Sequence, residues 1–366
     1  MIKIPVYRPC LEGNEKKYVM ECLDSTWISS KGRFVGEFEK AFAAFIGVPH
    51  GVSVCNGTAA LHVALLALGI GPGDEVIVPS LTYVASANAI RYTGAVPVFA
   101  DVRSDTWQID PADAEARISP RTRAIMAVHL FGHPCEMQSL AALAASHGLS
   151  LVEDCAEAFG SRYQGRHVGG HGHIATFSFF GNKTITTGEG GMVVARDAEL
   201  IERASHIKGQ GLARNREYWH DIIGYNYRMT NICAAIGLAQ LERAEKLIAR
   251  KREIAGWYAA GLADVPFSLQ GEIGDVIHSY WMISGLVARA SLRDPLRAFL
   301  AAAGIETRPL FFPVHTMAMY AAGTGALPVT EDLSARGITL PSWPELRKED
   351  VAEICGQVKR GLDAAQ

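Results

Sequence analysis

The chain has 366 residues, a length that suits a large domain plus a smaller one. Nearly half of the residues are apolar, and 35 basic against 38 acidic residues leave a formal net charge of -3, which gives no electrostatic case for a nucleic-acid or anionic-membrane partner. The seven cysteines are odd in number and lack C-x-x-C spacing, which argues against a disulfide framework or zinc knuckle and reads as reduced thiols of the cytosol.

At the start, Met1-Ile2-Lys3-Ile4-Pro5-Val6 has no charged stretch followed by a long apolar one, so no signal peptide is expected. No uninterrupted apolar run is long enough to span a membrane. From residue 51 to about 196, short apolar runs alternate with amphipathic ones, the pattern of β-α units around a buried parallel sheet. Strands are predicted at 52–55, 75–79, 96–101, 124–129, 149–153, 175–180 and 192–195. Between them Leu61, Ala64, Leu65 and Leu68 recur at helical spacing, and a second helix over 137–147 stops at Gly148. The core is therefore α/β. A mostly helical stretch over 230–262 reads as one linker helix, with Ile232, Ala235, Ile236, Leu238 and Leu241 apolar and Glu242, Arg243, Lys246, Arg250 and Lys251 on polar turns. The proline-richer remainder ends in a helix over 348–362 and reads as the smaller domain, giving a division into 1–250 and 251–366.

Several residues in these segments carry chemistry. Lys183 lies between the apolar run Phe177-Ser178-Phe179-Phe180 and the glycine-rich Gly188-Glu189-Gly190-Gly191. An amine partly buried beside Phe179 and Phe180 has a lowered pKa and can condense with an aldehyde cofactor; a surface loop lysine is the equal alternative. Asn56-Gly57-Thr58 stands where a strand ends and a helix begins, a corner whose free N–H groups and dipole bind phosphate, although a simple helix cap explains it as well. Leu149-Ser150-Leu151-Val152-Glu153-Asp154 ends a strand in two acids; one is expected on the ligand side of the sheet, where a carboxylate can keep a cofactor's ring nitrogen protonated, and a helix-capping or surface acid is the alternative. Tyr83 follows the 75–79 strand at the same edge and either lies against a flat cofactor or packs in the core. Gly224-Tyr225-Asn226-Tyr227-Arg228-Met229-Thr230 has the composition of a loop that crosses to a neighbouring subunit.

Taken in order, Asn56-Gly57-Thr58, Glu153-Asp154-Cys155-Ala156-Glu157-Ala158, Thr176-Phe177-Ser178-Phe179-Phe180-Gly181-Asn182-Lys183 and Gly224-Tyr225-Asn226-Tyr227-Arg228 resemble the DegT/DnrJ/StrS family of pyridoxal-phosphate sugar aminotransferases over nearly the whole chain. The resemblance implies the type I fold of pyridoxal-phosphate enzymes, with a mostly parallel central sheet and a smaller α+β domain. It implies that Lys183 joins the cofactor aldehyde and moves a proton, that Asp154 pairs with the pyridine nitrogen, and that Tyr83 stacks on the ring. Glu157 would lie near the phenolic oxygen, while Gly57, Thr58 and Ser178 hold the phosphate and Asn226 reaches it from the partner of a homodimer. Within the family, Thr26-Trp27-Ile28-Ser29-Ser30, Pro79-Ser80-Leu81-Thr82-Tyr83, Thr184-Ile185-Thr186-Thr187-Gly188 and Gly209-Gln210-Gly211 resemble the subgroup that moves the amino group of L-glutamate to C4 of a GDP-linked 4-keto-6-deoxy sugar. Arg308 and His315 match a stretch that contributes to the substrate pocket in relatives. Arg308 then serves a diphosphate or the glutamate carboxylate, or makes a structural salt bridge.

Two features depart from the pattern. His173, in Gly170-His171-Gly172-His173, stands where close relatives carry an acid, and its His-x-His spacing lacks a third ligand, so no metal is expected. Glu157 stands where the wider family often has glutamine, although the subgroup resembles this chain at that position. The competing readings are a UDP- or dTDP-linked acceptor and a regulator that keeps the fold without the chemistry. A nicotinamide enzyme is disfavoured because Leu68-Gly69-Ile70-Gly71-Pro72-Gly73 precedes a strand rather than opening a helix.

Overall fold

The computed structural model describes residues 2–364 apart from 322 and 324. Its strands, in chain order, are β1 (His50–Val54), β2 (Glu75–Pro79), β3 (Val96–Ala100), β4 (Thr122–Val128), β5 (Ser150–Asp154), β6 (Arg162–Tyr163) and β7 (Arg166–His167). They continue with β8 (Ile174–Ser178), β9 (Gly191–Ala195), β10 (Phe267–Leu269), β11 (Val276–Ile277), β12 (Ile283–Val287), β13 (Arg308–Pro309) and β14 (Gly337–Leu340). The helices are α1 (Glu15–Asp24), α2 (Arg33–Ile46), α3 (Gly57–Ala67), α4 (Ala85–Tyr92), α5 (Pro111–Ala116) and α6 (Met137–Ser146). After them come α7 (Ala198–Lys208), α8 (Asn231–Leu241), α9 (Ala244–Gly261), α10 (Arg293–Ala302), α11 (Pro328–Arg336) and α12 (Lys348–Ala364).

All seven apolar runs read from the sequence become strands of one sheet, ordered β1-β9-β8-β5-β4-β2-β3. Their ends shift by at most two residues: the 75–79 run is unchanged, the 175–180 run forms Ile174–Ser178, and the 149–153 run forms Ser150–Asp154. Six strands point the same way, and β9 runs antiparallel to both β1 and β8. The reversal follows from the connection, because the segment joining β8 to β9 contains no helix to carry a parallel crossover.

Side chains alternate across this sheet with the period of two that a strand imposes. Met192 and Val194 of β9 enter an aromatic core with Phe34, Phe38 and Phe42 of α2, whereas Val193 and Ala195 face the core shared with α3. On β8, Phe177 joins the aromatic side with its neighbour Phe179, so Ser178 between them faces the start of α3. Helix α2 forms because Phe34, Phe38, Phe42 and Ile46 recur every four residues and present one apolar stripe, and Gly47, at φ 81°, ends it.

The stretch expected to be one linker helix is two, α8 and α9, broken at Glu242 and Arg243. No proline or glycine breaks it. The N-terminal segment does: Glu242 accepts hydrogen bonds from Tyr18 Oη (2.6 Å) and Asn14 Nδ2 (2.7 Å), and Arg243 pairs with Glu12 at 3.3 Å. The expected division near residue 250 falls inside α9. Beyond it, β10, β12, β14 and β13 form an antiparallel sheet that shares a core with α9, α10 and α12. Near the N-terminus Ile4 bridges to Ile305 beside this sheet, and Ile4 and Tyr7 pack on its core. All seven cysteines are free thiols, and among the described residues no helix is long and apolar enough to cross a membrane.

Phe42, fully buried, meets the rings of Phe38, Phe159, Phe177 and Phe179 at centroid distances of 4.9 to 5.9 Å. Replacing Phe42 with Ala is expected to cost about 3–5 kcal/mol of stability, read as a shift in the denaturant midpoint at unchanged m-value.

Candidate active site

The carboxyl ends of β5 and β8, the start of α3 and the loop between β8 and β9 converge on Lys183. Phe180 bridges to Gly188, the Lys183 N–H donates to the Phe180 carbonyl (2.9 Å), and Thr187 N–H donates to the Phe179 carbonyl (2.9 Å). Gly188, at φ 82°, takes the left-handed conformation that closes this turn. The Lys183 side chain is only 13% exposed, and its Nζ lies 3.6 Å from Glu157 Oε1, beyond ordinary hydrogen-bond length. Burial lowers the pKa of this amine, against the pull of Glu157 and Asp154, which raises it. The sequence alternatives thus resolve toward a buried amine and away from a surface loop lysine.

The two acids that end β5 point to opposite faces. Glu153 is fully buried and accepts backbone N–H groups from Gly169 (2.7 Å), His171 (2.8 Å) and Gly172 (2.6 Å), so it binds the 167–172 loop. His129 Nδ1 accepts from Cys135 N–H, so its Nε2 carries the proton and donates to Glu153 at 3.2 Å. Burial works to raise the Glu153 pKa, but His129 and these amides outweigh it and hold the carboxyl below its ordinary value. Asp154 instead faces α4, where its Oδ2 accepts from Ser86 Oγ (2.8 Å) and its Oδ1 from Ala156 N–H (3.0 Å). Burial pushes the Asp154 pKa up against these donors and Lys183. A buried carboxylate served mainly by neutral donors is short of a cation.

Helix α3 starts against Ser178. Asn56 caps it by accepting from Ala59 N–H (2.8 Å), which leaves the first-turn N–H groups of Gly57 and Thr58 for an outside acceptor. A side chain at Gly57 would put its Cβ 2.6 Å from Ser178 Cβ, so only glycine permits this approach. Tyr83 remains 58% exposed, and its ring begins an aromatic row. Phe311 lies 5.5 Å from it, Phe131 stacks on Phe311 at 5.5 Å, and Trp281 stacks on Phe131 at 6.4 Å. The row ends at Lys183, whose Nζ is 3.8 Å from the Trp281 ring centroid. Phe131 and Trp281 escaped the sequence reading, since neither stands at an informative spacing from Lys183.

Of the remaining candidates, Asn226 is exposed beyond the end of β1 and accepts from Arg228 (3.1 Å). Arg308 is exposed and pairs with Glu306 at 3.1 Å. His315 is buried at the end of β2, with Nδ1 2.7 Å from Ser80 Oγ and Nε2 3.2 Å from Glu331. His171 and His173 serve separate parts of the loop, His173 Nδ1 accepting from Leu151 N–H (2.9 Å).

Glu157 is the acid that faces the Lys183 amine. It accepts from Phe131 N–H (2.9 Å), and burial pushes its pKa up to about 7 although Lys183 lowers it. A carboxyl whose folded pKa exceeds its unfolded one binds more protons when folded, so it makes stability fall as pH rises between about 4.5 and 7. Glu157→Gln is expected to remove up to about 3 kcal/mol of that fall, read from urea midpoints of the cofactor-free protein across this range.

The model of the DegT/DnrJ/EryC1/StrS aminotransferase family matches residues 9–359. The chain is 59% identical to the GDP-perosamine synthase of Escherichia coli O157:H7 over 355 residues, covering 97% of each chain. It is 50% identical to the GDP-perosamine synthase of Vibrio cholerae over 360 residues, covering 97% of this chain and 98% of that one. Its fold superposes with a TM-score of 0.95, at 28% identity and 99% of each chain, on the PLP form of the putative sugar aminotransferase Spr1654 from Streptococcus pneumoniae. The matched span takes in the Lys183 turn, both acids and the start of α3, and the chain belongs to the DegT/DnrJ/EryC1/StrS aminotransferase family.

Proposed function

We propose that the protein moves the amino group of L-glutamate to C4 of GDP-4-keto-6-deoxy-D-mannose, giving GDP-perosamine and 2-oxoglutarate, as a cytoplasmic homodimer. The observation that carries the chemistry is the buried Lys183 amine beside Asp154, a carboxylate in want of a cation. The identity to two GDP-perosamine synthases supports the acceptor. Pyridoxal phosphate, when bound, supplies an aldehyde that an amine can join and a ring that draws electrons from the carbon being deprotonated.

Each residue has work matched to its setting. Lys183, with its pKa lowered, would hold the cofactor and, once released, take up and return a proton at its Nζ. Asp154 keeps the ring nitrogen protonated, and Ser86 holds Asp154 in place. Glu157, near neutrality in its pKa, holds or gives a proton beside the phenolic oxygen. The N–H groups of Gly57 and Thr58 and the hydroxyls of Thr58 and Ser178 bind the phosphate. Tyr83 covers the ring face, and Arg308 reaches the diphosphate or the glutamate carboxylate, while His315 acts from behind by fixing Ser80.

Asn226 of the partner subunit completes the phosphate site. Support for the dimer comes from the segment before Asn226, which exposes Tyr218 (93%) and Ile223 (89%) together with Trp219 and Ile222. Residues 1–250 then form the cofactor-binding part and 251–366 the smaller part, with α9 running across the boundary.

Lys183→Ala is expected to lower amino transfer by about 10²–10⁴-fold or more and to lose the borohydride-fixed cofactor that peptide mapping places on Lys183 in the wild type. With glutamate and a panel of GDP-, UDP- and dTDP-linked 4-keto-6-deoxy sugars, mass spectrometry is expected to find only the GDP sugar aminated. Equal amination of all three overturns the acceptor but not the transaminase.

A further inference from the structure

Two side chains grip the catalytic turn from outside. Tyr7 Oη donates to the Lys183 carbonyl (2.7 Å), and Trp281 Nε1 donates to the Asn182 carbonyl (2.6 Å). Trp281 also meets the amine itself, since Lys183 Nζ lies 3.8 Å from the centre of its ring, well inside the range of cation–π attraction. The indole is 5% exposed and lies 10° from parallel to Phe131, whose N–H holds Glu157. One side chain therefore touches the turn and the amine, and its stacking partner fixes the acid opposite.

We propose that Trp281 is a positioning residue for Lys183, its indole face holding the amine whenever it is released from the cofactor and its N–H fixing the Asn182–Lys183 peptide. The inference rests on the reading of Lys183 as the cofactor-bearing residue. A released ammonium in this site faces Glu157 from the segment after β5 and Asp154 from the end of β5. Either carboxylate can draw it out of line and take its proton. An aromatic face attracts the ammonium through its quadrupole but accepts no proton, so it holds the amine without neutralising it. The bond to Asn182 keeps the amine's backbone anchor still while the side chain is free.

The test is the titration of Lys183 in full-length protein stripped of cofactor, followed by trace acetylation with acetic anhydride from pH 6 to 11 and mass analysis of its peptide. Trp281→Leu removes the face and the N–H, and is expected to lower the labelling midpoint by about one pH unit. Trp281→Phe keeps a face and is expected to stay closer to the wild-type midpoint. Protein containing 5-fluorotryptophan keeps shape and N–H, and its weaker ring is expected to give a smaller fall in the same direction. Unmoved midpoints in both the Leu variant and the fluorinated protein overturn the role of Trp281. Borohydride reduction of wild-type protein with cofactor is run alongside: a label away from Lys183 overturns the underlying reading, whereas a label on Lys183 with unmoved midpoints overturns the inference about Trp281 alone.

Discussion

Desolvation governs this site: one amine and two carboxylates sit together where water does not screen them. Lys183 is pushed toward its neutral form, while Asp154 and Glu157 are pushed toward theirs. In water these groups would all be charged and inert toward one another's protons. Here their pKa values move toward each other, which is the condition for passing protons at neutral pH. The site's remaining demand is for a cation beside Asp154 and an anion at the start of α3, and a phosphorylated, ring-protonated cofactor supplies both.

The fold delivers this arrangement through strand alternation. Because successive side chains on β5 face opposite ways, Glu153 ties down the 167–172 loop while Asp154, one residue on, faces the site. The same alternation on β8 sends Phe177 into the aromatic core under α2 and turns Ser178 toward Gly57. A shift of register by one residue would exchange both pairs and leave a phenylalanine at the phosphate corner and a glutamate in place of Asp154. The fully buried phenylalanines therefore protect the chemistry as well as stability.

Much of this was legible in the chain. The strands were, because buried parallel strands spell continuous apolar runs, and Lys183 was, because its motif sits between one such run and a glycine turn. Helix α2 carries an equally clear signal, since Phe34, Phe38, Phe42 and Ile46 recur every four residues. Other features have no local signature. The break at Glu242 and Arg243 comes from residues more than two hundred positions away, and Trp281 reaches Lys183 across about a hundred. Which of the two acids ending β5 faces the ligand depended on strand register, which the tertiary structure fixes.

The most direct measurement of the central claim is the protonation state of the cofactor ring. With pyridoxal phosphate labelled at the ring nitrogen, the ¹⁵N shift in the wild-type complex is predicted to be that of a protonated pyridinium at neutral pH, and that of an unprotonated ring in Asp154→Asn. An unprotonated ring in the wild type, or a pyridinium that persists in Asp154→Asn, would contradict the account.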